Sequence, residues 1–325
     1  MQVMTVLGSV DVSTLGRTLI HEHLFAKWPG AEFFPPMKIT REWLLQQCYV
    51  RLGALKDQGV RTFVDPCPIE LGRDVTLMAE VSRKVGMNII CTTGFYHEGP
   101  GLPYFWRPMT ARQIADFYIG EIVNGVDGTD IRPGAIKCAT SAEPTETEAK
   151  FLEAASIAHH ETGVPLITHT TGGLGGPEQQ AIFASHGVKP HRCLIGHCSD
   201  NPDPAYHQRV AEGGTYIGFD RLGFEYPSPE TSADNVVRLV RNGYRPQVML
   251  STDRLCVFQG QMSRKPPTDD PYELKALMEQ GKWPPPQTFL IDEFFPLLRE
   301  RGLSDSEIFA MIEENPTRYF AGEPF

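Results

Sequence analysis

No apolar run in the chain approaches the roughly 20 residues that a membrane span requires. The opening residues, MQVMTVLGSVDVST, lack the basic start and unbroken apolar stretch of a secretory signal, so a cytoplasmic protein without a membrane partner is expected. Positive charge is scarce, with 30 lysines and arginines against 40 acids and a net charge of −10. No basic stripe offers phosphate contacts, which argues against a nucleic-acid partner. The seven cysteines (Cys48, Cys67, Cys91, Cys138, Cys193, Cys198 and Cys256) form no CxxC pair. Their odd number leaves no complete disulfide framework, and buried free thiols in a reducing compartment are expected. The first strand-like unit lacks a GxGxxG turn, which weakens the case for a doubly wound dinucleotide fold. No linker or internal repeat divides the chain, and one domain over residues 1–325 is expected.

What is present is a regular alternation. Strand-like runs occur at TLIHEH, VRTFVDP, MNIICTTG, IRPGAIKCAT, VPLITHT, HRCLIGH, TYIGFDRLG and PQVMLSTD. Helix-like stretches follow them, among them ITREWLLQQCYVRLGALKDQG with Gly59 as its C-terminal stop, and TETEAKFLEAASIAHHETG with Thr145 and Glu148 as a capping box. IDEFFPLLRERG is the eighth helix, and SDSEIFAMIEENPTRYF is expected to pack on afterwards as one capped helix. Eight such units make a closed (β/α)8 TIM barrel the economical α/β fold. The stretch from about 254 to 286, rich in proline, is too long for an ordinary connection and is expected to form a loop over the site.

Six residues stand at or just after these strands: His21, His23, Lys137, His169, His197 and Asp253. Barrels display their chemistry at the carboxyl ends of the strands. Side chains alternate along a strand, so His21 and His23 share a face and Glu22 points the other way. Imidazole and carboxylate are ligands that zinc, manganese, cobalt and iron accept. Any one of these residues has an ordinary reading: a packed histidine, or for Asp253 a helix N-cap. Lys137 is the oddest, because a charged lysine at the end of an apolar strand is costly. Burial lowers its pKa, and a neutral amine reacts with carbon dioxide to give a carbamate with two oxygens, able to bridge two ions. A salt bridge to Asp253 or Glu70 is the alternative. Jointly, six ligand-type residues at five strand ends point to a binuclear metal site that activates water for hydrolysis.

TLIHEHL, IKCATS, ITHT, IGHCSD, FDRLG, LSTD and the terminal ENPTRYF resemble, in order, landmarks of the phosphotriesterase-like lactonases of the amidohydrolase superfamily. The resemblance covers essentially the whole chain. It implies a dimeric (β/α)8 barrel in which His21, His23 and Asp253 hold the more buried ion and His169 and His197 the more exposed one, with carboxylated Lys137 bridging both. It implies further that Tyr96 in TTGFYHEG reaches toward a lactone and that Arg221 lies beside the substrate loop. Asp253 would act as general base and then acid. GFYHEGPG and HCSDNPDPAYH resemble members that favour γ- and δ-lactones with alkyl tails over acyl-homoserine lactones, with organophosphate triester hydrolysis as a side reaction. Trp28, Phe105, Trp106, Leu255, Phe258 and Trp283 are candidates for an apolar wall. Other readings are a phosphotriesterase, a carboxylic ester or amide hydrolase, a phosphosugar lactonase using Arg254, Arg264 and Lys265, and a non-catalytic binding protein with a structural metal.

Overall fold

Eight short strands, buried along nearly their whole length, give the chain its plan. The computed structural model describes residues 1–35, 38–224, 226–260, 268, 270–280 and 282–325. An N-terminal hairpin, β1 (Gln2–Thr5) and β2 (Gly8–Asp11), precedes β3 (Arg17–Leu19) and β4 (His23–Lys27). Then come β5 (Val60–Asp65), β6 (Asn88–Gly94), β7 (Ala135–Thr140), β8 (Leu166–Thr170), β9 (Cys193–Ile195), β10 (Tyr216–Phe219), β11 (Val248–Leu250) and β12 (Leu255–Gln259). Strands β3, β5, β6, β7, β8, β9, β10 and β11 pair in that order, all in parallel, into one eight-stranded sheet. Helices α1 (Arg41–Asp57), α2 (Val75–Val85), α3 (Ala111–Asn124), α4 (Glu146–Thr162), α5 (Gly176–Ser185), α6 (Pro204–Glu212) and α7 (Pro229–Arg241) separate successive strands. This is the expected (β/α)8 barrel, and the capping box of Thr145 and Glu148 is present on α4.

Closure between the first and last strands has a different character. β3 and β11 share no ladder, and the seam is held by side-chain hydrogen bonds together with isolated backbone ones. His21 N–H donates to Ser251 Oγ at 3.1 Å, and Asp253 N–H donates to the His21 carbonyl at 3.0 Å. Glu22 does point away from its two histidine neighbours. Fully buried, its carboxylate accepts from Ser251 Oγ, from Thr252 N and Oγ1, and from Arg254 N, at 2.7–3.1 Å. Beyond the seam the chain continues outward as a parallel ribbon of β4 and β12, with Leu255 opposite His23. The first barrel strand is therefore shorter than the sequence pattern suggested, because the chain leaves the sheet after Leu19 and re-pairs from His23.

Inside the barrel, Ile20, Val64, Ile90, Ile167, Leu194 and Met249 form an apolar layer. Tyr319 of the C-terminal helix joins the same cluster and donates its hydroxyl to the Leu166 carbonyl at 2.7 Å, so the amino end of the barrel is plugged. Period two then places Lys137, two residues beyond Ala135, and His169, two beyond Ile167, at the open end on the inner face. Gly94 lets β6 and β7 approach there: a Cβ on it would lie 2.0 Å from the Lys137 carbonyl oxygen.

Two expectations need correction. The C-terminal segment is two helices, α10 (Asp305–Ala310) and α11 (Glu314–Ala321). Pro316 has no N–H to continue a helical ladder from residue 312, so the axis breaks between them. The stretch after strand eight is not simply loop. Its start is β12, and it contains α8 (Pro271–Glu279), capped by Asp270 accepting from Tyr272 N with Pro271 in the first turn. α9 (Phe295–Glu300) follows a π-helical turn at Leu290–Phe294. All seven cysteines are buried and free, as expected. Among the described residues no helix is long and apolar enough to cross a membrane.

Candidate active site

Five of the six strand-end residues meet at the open end of the barrel. His23 Nε2 lies 3.1 Å from Asp253 Oδ1, His21 Nε2 lies 3.7 Å from the same oxygen, and His197 Nε2 lies 3.9 Å from Asp253 Oδ2. Lys137 Nζ is 3.0 Å from His21 Nε2. His169 sits beside this group, its ring edge-on to His197 at 4.5 Å between centroids. Its nitrogens face the Tyr96 hydroxyl at 3.3 and 3.4 Å, and it lines the same cavity as Lys137 and Asp253. Among the described residues Lys137 forms no ion pair with Asp253 or Glu70, so the salt-bridge reading of Lys137 finds no support.

Sequence reasoning missed two carboxylates that aim the imidazoles. Asp220, fully buried, takes His21 Nδ1 at 2.8 Å and His197 Nδ1 at 3.1 Å, and also accepts His197 N–H. Asp65 does the same for His23 Nδ1 at 3.0 Å and accepts from Leu24 N and Cys67 N. A carboxylate on Nδ1 fixes the proton there and leaves the Nε2 lone pair pointing inward, the arrangement found behind metal-bound histidines. Both carboxylates end strand runs, VRTFVD and TYIGFD, so the signal that found the other six was present. We expect Asp220→Asn to lower metal affinity about 10- to 100-fold, because His21 and His197 use different oxygens of Asp220 and one of them would become an NH2 donor facing an imidazole N–H. Titration against a competing chelator measures this.

The backbone is shaped for the same purpose. His197 (φ 60°) and Asp253 (φ 50°) are both left-handed, a conformation uncommon outside glycine that costs about 1–3 kcal/mol. The hydrogen bonds of His197 N–H to Asp220 and of Asp253 N–H to the His21 carbonyl hold them there. Asp253 is thus no helix N-cap.

Charge follows from burial and neighbours. Burial, with Lys137 nearby, depresses His21 to about 3, and burial also holds His169 well below the usual histidine value. Burial lowers Lys137 to about 8, against the pull of Asp253 and Asp220, so a neutral amine is accessible near physiological pH. For Asp253, burial pushes upward, but Arg221 and His197 outweigh it and hold the carboxyl well below its ordinary range. Arg221 is not a surface residue: its Nε donates to Asp253 Oδ2 at 2.6 Å and its Nη1 to Asp200 Oδ2 at 2.8 Å.

The donor set fits a transition ion. Ligands on a tetrahedral ion with bonds of 2.0–2.2 Å stand roughly 3.4 Å apart, and the nitrogens of His21, His23 and His197 stand 3.1–3.9 Å from the oxygens of Asp253. Above them opens a cavity of about 90 Å³. Ala26, Trp28, Leu71, Leu255 and Phe258 supply its apolar side, and Tyr96 and Arg221 its polar side. Of the proposed wall residues, Trp106 packs on Phe117 at 4.7 Å and Phe105 is largely exposed; like Trp283, neither lines the cavity.

With this geometry in view, the chain matches the phosphotriesterase family over residues 1–320. The chain belongs to that family. A phosphotriesterase homology protein of Mycobacterium tuberculosis is 32% identical, with 98% of this chain and 97% of that protein aligned. An aryldialkylphosphatase of Saccharolobus solfataricus is 31% identical over 96% of this chain and 97% of its own length. The structure of a variant PTE-like lactonase from Deinococcus radiodurans superposes with a TM-score of 0.88 at 34% identity, covering 98% and 99% of the two chains. This phosphotriesterase-family chain is, like its relatives, a metal-dependent hydrolase.

Proposed function

We propose that the enzyme opens γ- and δ-lactones carrying alkyl chains, and that it hydrolyses organophosphate triesters weakly. The observation that carries the reading is the pairing of Tyr96 with an apolar wall directly above the imidazole cluster. In this reading His21, His23 and Asp253 would hold one divalent ion (zinc, or manganese, cobalt or iron), and His169 and His197 a second, with Lys137, as its carbamate, completing the donor set. Bound there, such ions polarise a carbonyl or phosphoryl oxygen and acidify water. Asp253, ionised at neutral pH, accepts a proton from the attacking water and returns it to the ring oxygen as the acyl C–O bond breaks. The Tyr96 hydroxyl orients the ring beside His169. Trp28, Leu71, Leu255 and Phe258 take the alkyl chain, worth roughly 0.8 kcal/mol per buried methylene.

A phosphorylated substrate is less well served. Arg221 is committed to Asp200 and Asp253, and Arg254 turns away to the carbonyls of Gly223 and Pro286 and lies over Phe289. Arg264 and Lys265 lie outside the described residues. The broadly apolar, exposed side chains of Phe33, Phe34, Tyr104 and Phe105 support a homodimer, and the seven free thiols support a cytoplasmic setting.

A panel of metal-loaded protein against δ-valerolactone, a γ-lactone with an alkyl tail, an acyl-homoserine lactone, a phosphosugar lactone, a triester and an aryl ester tests the assignment. We expect kcat/KM to be highest for the alkyl lactone. Highest turnover of the triester or the phosphosugar lactone would overturn the reading, and no turnover at all would leave the non-catalytic alternative.

A further inference from the structure

We propose that Glu70 is a positioning residue, and that by fixing the backbone of Tyr96 it sets the preference of the site for lactones over triesters. The inference rests on the lactonase reading above. It starts from a carboxylate whose placement nothing in the metal cluster explains. Glu70 lies in a single 3-10 turn, Ile69–Leu71, just beyond β5, closed by Gly72 in a left-handed conformation. From there its side chain crosses to the segment leaving β6, where Oε1 accepts the Tyr96 N–H at 2.7 Å. Oε2 is enclosed, and among the described residues it has no hydrogen-bond partner.

A carboxylate that spends one oxygen on one amide and encloses the other is an expensive way to satisfy a backbone donor. Nearby Arg73 does not account for it. Its Nη1 and Nη2 donate to the two oxygens of Glu121, each at 2.7 Å, and Nη1 also to the Thr92 carbonyl at 3.0 Å, while Nε has no hydrogen-bond partner among the described residues. Burial raises the Glu70 carboxyl to about 7, in keeping with this absence of a dedicated counter-charge.

What the contact does achieve is placement. Gly94, at φ 121°, turns the chain out of the barrel, and Phe95 is buried among Trp106, Phe117, Tyr118 and Phe151. Anchored by Phe95 on one side, the Tyr96 backbone is pinned on the other by Glu70. From that backbone the ring lies over His169 at 4.6 Å between centroids, with its hydroxyl 3.3 Å from Nε2. A lactone presents a planar ester that a fixed phenol can orient. A triester is tetrahedral and bulkier at the same point, and gains less from that hydroxyl. Removing the peg lets the phenol drift, and the loss falls on the lactone.

Glu70→Ala, Glu70→Gln and Tyr96→Phe, singly and combined, test this against one alkyl lactone and one triester at constant pH and metal content. We expect Glu70→Ala to lower kcat/KM for the lactone about tenfold more than for the triester, chiefly through KM. Glu70→Gln keeps a carbonyl oxygen for the Tyr96 amide and is expected to retain the wild-type preference. In the Tyr96→Phe background, Glu70→Ala is expected to change the preference no further. Equal losses on both substrates, or a loss that persists undiminished without the Tyr96 hydroxyl, would show a merely structural role and overturn the inference. A wild-type enzyme inert toward every lactone sinks the lactonase reading and this inference together; an active lactonase indifferent to Glu70→Ala sinks the inference alone.

Discussion

Asp253→Asn is expected to lower kcat/KM for an alkyl lactone by about 10³-fold or more, within the range seen when a positioned acid–base group is removed, while some metal stays bound. The substitution is nearly isosteric. An asparagine oxygen can still face His23 Nε2, 3.1 Å from Oδ1 in the native site. What disappears is the charge and the ability to take up a proton. In the native site Arg221 donates to Oδ2 at 2.6 Å and, with His197, keeps the carboxylate ionised although burial opposes it. An acid generated on so acidic a carboxylate is strongly driven to protonate a departing alkoxide, whose conjugate acid is far weaker. The amide can neither collect the proton nor deliver it. Steady-state kinetics with elemental analysis of the same sample checks the result. Near-normal lactone turnover in Asp253→Asn would remove the proton-transfer role.

Dialysis against a strong chelator is expected to reduce hydrolysis below about 1% of its starting rate, since an uncatalysed water attack lacks the activation that bound ions provide. Activity should return on adding zinc, manganese or cobalt together with bicarbonate, and return less fully when carbon dioxide is excluded. Lys137 is the reason. Burial brings its amine to about 8, so the neutral form that combines with carbon dioxide is available near neutral pH. The pH dependence has a definite sign: at fixed dissolved carbon dioxide, reconstitution should accelerate as pH rises toward about 8 and slow as the amine is protonated below it. Lys137→Met keeps the length and apolarity of the side chain without the amine. It is expected to weaken metal binding at least about 100-fold, the upper end of the losses seen for outer-sphere partners. Full activity in the chelated enzyme, or in Lys137→Met, would defeat the metal-site proposal.

The strand-end rule accounts for how much of the site could be seen in sequence. His21, His23, Lys137, His169, His197 and Asp253 each terminate an apolar run, and a polar residue there must answer for its burial. Asp65 and Asp220 satisfy the same rule, yet the rule does not separate a group that touches a ligand from one that orients it. Their roles emerge only when strands β5 and β10 are brought beside His23, His21 and His197. The (β/α)8 order was legible because eight local units repeat it. The β4–β12 ribbon was not, because pairing His23 with Leu255 joins residues 232 apart by a register that no local pattern encodes. α8 did carry a signal, Asp270 followed by Pro271 and a run of helix formers, but the flanking prolines masked it. Glu70 carried none, since its partner is a backbone amide.

The seam where the first and last strands meet has a consequence for how this enzyme can change. Glu22, His21, Ser251, Thr252 and Asp253 stitch the barrel shut with the same residues, or their immediate neighbours, that surround the reacting atoms. Elsewhere in the sheet, backbone ladders keep the wall intact whatever the side chains do. Here the clasp and the workshop are one. Mutational drift that loosens the chemistry also unfastens the container, so new specificities should accumulate on the surrounding loops while this short arc stays fixed.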